Sequence, residues 1–111
     1  MRIDATLEEL RALLQLAEVD ARIEELTPDA YRSRREASRR RVGPRLLERY
    51  EELLEAGRSP ALVAMERGNC TGCHIRLPTL VEYRARCSPA IHSCPHCRRM
   101  VYAKELLATE S

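Results

Sequence analysis

Two cysteine pairs, Cys70-Thr71-Gly72-Cys73 and Cys94-Pro95-His96-Cys97, constrain this chain more than anything else in it. Each has the form C-x-x-C, and the 20 residues numbered 74–93 separate them. That gap lies at the upper edge of the about 15–20 residues used by four-cysteine zinc sites. Two thiolates two residues apart can face one ion when the backbone turns tightly, and two such turns complete a tetrahedron with Zn–S bonds of about 2.3 Å. Sulfur from Cys70, Cys73, Cys94 and Cys97 then fills every coordination position, leaving none for water or substrate. One structural zinc ion is expected, a scaffold and not a catalyst. The competing reading, a pair of redox sites, lacks the βαβ setting of a thioredoxin-like C-x-x-C. Cys87, His74, His92 and His96 are spare donors; surface or loop positions are expected for them, because four ligands satisfy the ion.

A metal suits a chain of this size. With 111 residues, no Phe, no Trp and four tyrosines, it has little with which to build a large core, and small domains in that position lean on metals, disulfides or partners. The five cysteines are an odd number, and the first 20 residues mix Asp, Glu and Arg with leucines instead of forming a signal peptide. The longest apolar run, Ala61 to Met65, is too short to span a bilayer. A soluble cytoplasmic protein is expected, with reduced thiols that bind metal, and no membrane partner.

Two helices are predicted before the cysteines. The first runs from Thr6 to about Leu26, with Thr6 as N-cap and Glu8 and Glu9 in the first turn, where negative charge suits the helix dipole. Ile3, Leu7, Leu10, Leu14, Ala17 and Ala21 follow a coiled-coil spacing, and Leu16, Val19, Ile23 and Leu26 continue it on a neighbouring face. Thr27-Pro28-Asp29 breaks or restarts the helix. Tyr31 to Arg41 has almost no apolar periodicity and reads as either a solvated helix or a mobile loop. The second helix spans about Arg45 to Ala56 and stops at Gly57. The fold class expected is therefore α+β: a short antiparallel helical hairpin with an arginine-rich connection over residues 1–58, then a small β zinc ribbon over 59–111. Strand candidates are Ala61–Met65, the alternation around Ile75 and Leu77, and Met100–Tyr102, with one or two helical turns at Ala103–Ala108. The helical seam is short, which leaves self-association through the hairpin open.

Of the 19 basic residues only Lys104 is lysine, a bias that a GC-rich genome also produces. Position matters more than composition. Arg32, Arg34, Arg35, Arg39, Arg40, Arg41 and Arg45 cluster around a single acid, Glu36. Such a cluster is either a solvated face or a patch that grips phosphates bidentately and in a salt-sensitive way. Arg76, Arg84, Arg86, Arg98 and Arg99 form a second group on the ribbon, which either extends that patch or balances the negative charge of a tetrathiolate site. Tyr31, Tyr83 and Tyr102 can stack on bases, although Tyr50 and Tyr102 fit core positions equally well.

The chain resembles the bacterial C4-type zinc ribbon proteins that carry an N-terminal coiled-coil hairpin. The resemblance rests on Ala61-Leu62-Val63, Gly68-Asn69-Cys70-Thr71-Gly72-Cys73-His74, Leu77-Pro78, and Cys94-Pro95-His96-Cys97 followed by Arg99-Met100-Val101-Tyr102. Leu14-Gln15-Leu16 with Asp20 and Ile23 resembles the start of the family's first helix. The resemblance implies a structural zinc and an adaptor role toward proteins or nucleic acid, without enzymatic activity. Two departures stand out: the hairpin is much shortened, and Arg98 occupies a position where these knuckles usually carry Gly, so the same turn would strain it. The function expected is a non-enzymatic adaptor that binds RNA or DNA through the arginine patch. The alternative is a protein-interaction module of the transcription or regulatory machinery, of which a DksA/TraR-like regulator is a weaker variant, since that family's acidic hairpin tip is basic here. No Ser/His/Asp arrangement or glycine-rich phosphate loop points to an enzyme.

Overall fold

Apolar side chains alternate along two short strands, and that alternation divides the protein into two layers about one sheet. In the computed structural model, which describes residues 2–108, the chain runs β1 (Arg2–Ile3), α1 (Leu7–Ala21), α2 (Pro28–Arg39), α3 (Pro44–Glu55), β2 (Leu62–Glu66), β3 (Asn69–Cys70), α4 (Thr79–Cys87), β4 (Ile91–Ser93), β5 (Met100–Ala103) and α5 (Lys104–Ala108). The strand order is β1-β4-β5-β2-β3. β2 and β5 are parallel, with Leu62 opposite Met100 and Met65 opposite Ala103; the other pairs are antiparallel. Leu62 and Met100 join a core with Leu10, Leu13, Leu16, Leu46, Tyr50 and Leu53. Their neighbours Val63, Met65, Val101 and Ala103 join a second core with Leu77, Ala85, Cys70, Cys94 and Cys97. Successive strand residues face opposite sides of the pleat, so helices cover one face and the cysteine turns with α4 cover the other. The fold is α+β, as the sequence predicts.

Local chemistry explains the helix limits. Thr6 caps α1: its side chain accepts from the Glu9 N–H at 3.1 Å, and the Glu9 carboxylate accepts the Thr6 N–H at 3.1 Å, a reciprocal capping box. α1 ends at Ala21, five residues before the expected Leu26. Thr27 caps α2 through the Ala30 N–H at 3.2 Å and Pro28 opens its first turn, so the chain must reverse over residues 22–26 and cannot stay helical there. Ile23 is left 51% exposed in consequence. The Tyr31–Arg41 segment is thus a solvated helix through Arg39, with Arg40 and Arg41 in the turn after it and Ser38 the buried residue of α2. Three helices therefore precede the cysteines, the middle one being the solvated-helix alternative. α3 ends as predicted at Gly57 (φ +78°), where the Arg58 N–H reaches the Leu53 carbonyl at 2.9 Å, the left-handed stop for which glycine carries no Cβ penalty.

The coiled-coil seam needs correction. α1 buries Leu10, Ala12, Leu13 and Leu16, Ala21 is exposed, and Ile3 lies on β1 opposite Ile91. A single partner helix would select a narrow stripe; here α2, α3 and the sheet all meet α1, so a broader face is covered. The sequence reading also misses β1 and α4. β1 is two residues long and is a strand only because β4 pairs with it; α4 lies between the cysteine turns and carries only one buried residue, Ala85. Among the described residues no helix is long and apolar enough to cross a membrane.

Candidate metal centre and the arginine cluster

Each cysteine pair sits on a hydrogen-bonded turn of the same design. In the first, the Cys70 N–H donates to the Ile75 carbonyl at 3.0 Å and the His74 N–H to the Cys70 carbonyl at 2.7 Å. In the second, the Cys94 N–H donates to the Arg99 carbonyl at 3.0 Å and the Arg98 N–H to the Cys94 carbonyl at 2.9 Å. His74 and Arg98 occupy equivalent positions and both have positive φ, +63° and +67°. The strain expected at Arg98 is therefore present. Arg98→Gly is expected to stabilise the protein by about 0.5–1 kcal/mol, the relief of left-handed strain exceeding the added freedom of the unfolded chain. Thermal and denaturant unfolding of the metal-loaded protein measure this, and a loss of stability would show that the Arg98 side chain contributes more than its backbone costs.

The turns bring four sulfurs together. Cys70 and Cys97 Sγ are 3.7 Å apart, as are Cys73 and Cys94, and all four lie within 4.8 Å of one another. A tetrahedron with metal–sulfur bonds of about 2.3 Å has edges of about 3.8 Å, whereas a disulfide needs about 2.05 Å. The cysteines are free thiols in a geometry that fits one metal ion. Cys70, Cys94 and Cys97 are buried and Cys73 is half-buried. Burial pushes the Cys70 thiol up to about 12 and raises Cys94 as well. At Cys97 burial also pushes upward, but hydrogen bonds with the Arg99 backbone N–H and side chain and with Cys70 and Cys94 together bring the thiol down to about 7. Arg99 is held in place by its Nε donating to the Pro60 carbonyl at 2.9 Å. A Cβ on Gly72 would come within 2.7 Å of Arg99 Cδ, so glycine makes room for the guanidinium beside the sulfurs. Four thiolates around a divalent cation carry net negative charge, and Arg99 offsets part of it.

The spare donors stay out of the group. Cys87 is exposed at the end of α4, and His74 and His96 are exposed. His92 is buried on β4, where burial, with Arg2 and Arg84 nearby, keeps its pKa below the ordinary value.

The arginines behave differently from a uniform patch. Arg35 Nε donates to Asp20 Oδ1 at 3.0 Å, with both side chains largely shielded. Arg39 lies 3.6 Å from Glu36 and 4.0 Å from Glu51, Arg40 lies 3.4 Å from Glu36, and Arg41 lies 3.6 Å from Glu8. Arg32, Arg34 and Arg45 are exposed and have no carboxylate within ion-pair distance among the described residues. The acids that meet this cluster come from α1 and α3, which the local count around Glu36 cannot see. In the second group, Arg76 and Arg86 both reach the shielded carboxylate of Glu82 at 2.8 Å.

Asp20 is the functional-looking residue that the sequence reading did not place in a role. It accepts from the Tyr31 hydroxyl at 2.8 Å, from Arg35, and from the Tyr50 hydroxyl at 2.7 Å, so one carboxylate ties α1, α2 and α3 together. Burial and the bond to Asp20 raise the phenol pKa of Tyr50 well above its usual value and raise that of Tyr31.

No protein-family model matches the chain, and no curated protein does. Solved structures do match. One is CT398 from Chlamydia trachomatis, at 30% identity and a TM-score of 0.62, covering 68% of this chain and 32% of that one. Another is the HP0958 protein from Helicobacter pylori, at 23% identity and a TM-score of 0.63, covering 78% of this chain and 37% of that one. This chain spans about a third of the length of each, and the second likeness is one of fold.

Proposed function

We propose that this protein is a non-enzymatic zinc-ribbon adaptor that binds nucleic acid. The observation that carries the first half is the sulfur tetrahedron. Tetrahedral all-thiolate coordination with edges near 3.7 Å is the preference of zinc, and a site with four cysteine ligands is closed to substrate and water. The metal is then structural, and the protein acts through its surface, in a cytoplasmic setting that keeps the thiols reduced. The second half rests on the exposed guanidiniums of Arg32, Arg34 and Arg45, to which nucleic-acid phosphates are natural ligands.

The test is a salt titration of binding to generic RNA and DNA by protein shown to hold one zinc per chain. Replacing Arg32, Arg34 and Arg45 by alanine is expected to weaken binding at least about tenfold at low salt and to flatten the salt slope by about two to three units. Unchanged affinity in that variant, or no binding by the parent at low salt, removes the nucleic-acid reading. The second reading, a protein-interaction module of the regulatory machinery, is favoured by the exposed apolar side chains Ile75, Leu80 and Tyr83 on the ribbon. A stoichiometric protein partner that survives nuclease treatment would select it.

A further inference from the structure

The two outer helices carry opposite charge. α2 and the residues just after it carry more arginines than acids, Asp29 and Glu36 being the acids, while α3 carries Glu48, Glu51, Glu52 and Glu55 against Arg45 and Arg49. A groove of about 460 Å³ at the reversal between α1 and α2 has apolar walls, Ile23, Leu26, Pro28 and Tyr31, and three charged residues line it: Arg32, Arg35, which is paired with Asp20, and Glu36, which is paired with Arg39 and Arg40. A second groove of about 390 Å³ runs along α3, with Pro44 and Leu47 as its apolar part and the four glutamates around it. The first is a shape that an amphipathic helix face can enter, and α3, with Leu47 between its glutamates, offers such a face.

The charges at these two places are unspent. Among the described residues Arg32 has no carboxylate partner, and neither Glu48 nor Glu55 has a cationic one. The helices that carry them are neighbours, since Glu51 of α3 stands 4.0 Å from Arg39 of α2. A nucleic acid can satisfy the arginines but is repelled by the glutamates. A partner that carries an apolar acidic strip beside an apolar basic groove satisfies both at once, and this chain carries that arrangement.

We infer that the helical layer is a dimerisation surface for a second copy of this chain. The α3 strip of one protomer, Leu47 flanked by Glu48 and Glu55, seats in the Ile23/Leu26/Arg32 groove of the other. A two-fold axis makes the contact twice, since the same patch on each copy supplies both halves. The contact engages Arg32, which the nucleic-acid reading also uses, so dimer and nucleic acid compete for that side chain and the dimer is tested with nucleic acid removed.

The experiment is analytical ultracentrifugation of the zinc-loaded, nuclease-treated protein. The parent is expected to dimerise at low salt and to dissociate as salt rises. Arg32→Glu and the double variant Glu48→Arg/Glu55→Arg are each expected to weaken self-association at least about tenfold, because like charges then face one another. Mixed together, they are expected to form a heterodimer close to the parent in affinity, since each groove again meets a strip of opposite sign. Zinc content and melting temperature check that the variants fold, and all three positions are at the surface of the monomer. A parent that stays monomeric at low salt and high concentration overturns the inference. So does a dimer that both variants keep, or one that the mixture fails to restore.

Discussion

Removing the metal with a tight chelator is expected to unfold the ribbon and to destabilise the rest of the chain with it. Structural zinc sites contribute about 10–16 kcal/mol of apparent binding energy at neutral pH, more than the about 5–15 kcal/mol net stability of a typical domain. The sulfurs are part of the second core, where Cys70, Cys94 and Cys97 pack with Val63, Met65 and Val101. β2 and β5, which carry Val63, Met65 and Val101, also supply Leu62 and Met100 to the helical core, and β4, which runs into Cys94, supplies Ile91, so loss reaches α1 and α3. Amide resonances of residues 61–103 should collapse on chelation and return on adding zinc. Cys94→Ser should mimic the chelated protein, whereas Cys87→Ser should leave zinc content and melting unchanged. A chelated protein that keeps its resonances and its melting temperature would refute a metal-dependent fold.

Affinity for the metal should also depend steeply on pH. In the folded geometry burial holds Cys70 up at about 12 and raises Cys94. In an unfolded metal-free ribbon cysteines are also thiols at neutral pH, with an ordinary pKa of about 8.5. On either route these ligands enter as thiols and lose a proton when the ion binds. Affinity therefore falls as pH falls, by about one decade per pH unit for each such thiol. Competition with a chromophoric chelator at several pH values measures the slope, and a flat profile would mean that the thiols are already ionised.

Asp20→Ala is expected to cost about 3 kcal/mol, lowering the thermal midpoint by about 10–20 °C. The substitution leaves the Tyr31 and Tyr50 hydroxyls and the Arg35 guanidinium without their shared acceptor, in a place where the Asp20 side chain is only 13% exposed and that of Arg35 21%. Tyr31→Phe, which removes one of the bonds, should cost about 1 kcal/mol. A double-mutant cycle between Asp20 and Tyr50 should show coupling of at least about 1 kcal/mol. A loss below that in Asp20→Ala would mean that α2 is held to α1 and α3 by packing alone.

What could be read before folding and what could not follow from distance along the chain. The sulfur site was legible because the geometry of each half is set within four residues, and only the meeting of two halves had to be inferred. The Thr6 cap, the stop at Gly57 and the strained turn at Arg98 were legible for the same reason. Asp20 was not, because its partners lie 11, 15 and 30 residues away. Nor was the pairing of Arg39 and Arg41 with Glu51 and Glu8, which neutralises part of a run that looks wholly basic in sequence. α1 was extended too far because the apolar spacing continues through Ile23 and Leu26, residues that the reversal turns out of the helix.

The pairing of β1 with β4 joins Arg2 to His92 and Ile3 to Ile91. A ribosome makes the first of these strands long before the second, and β5, which lies between β4 and β2, comes later still. During synthesis the helices must therefore wait with part of their apolar face uncovered until the second cysteine turn has left the exit tunnel. Contacts between residues this far apart in sequence close slowly and leave surface exposed to other chains meanwhile. The ion is then captured only once both cysteine turns are free of the ribosome, and in a cell short of zinc the helical layer would be left without its floor.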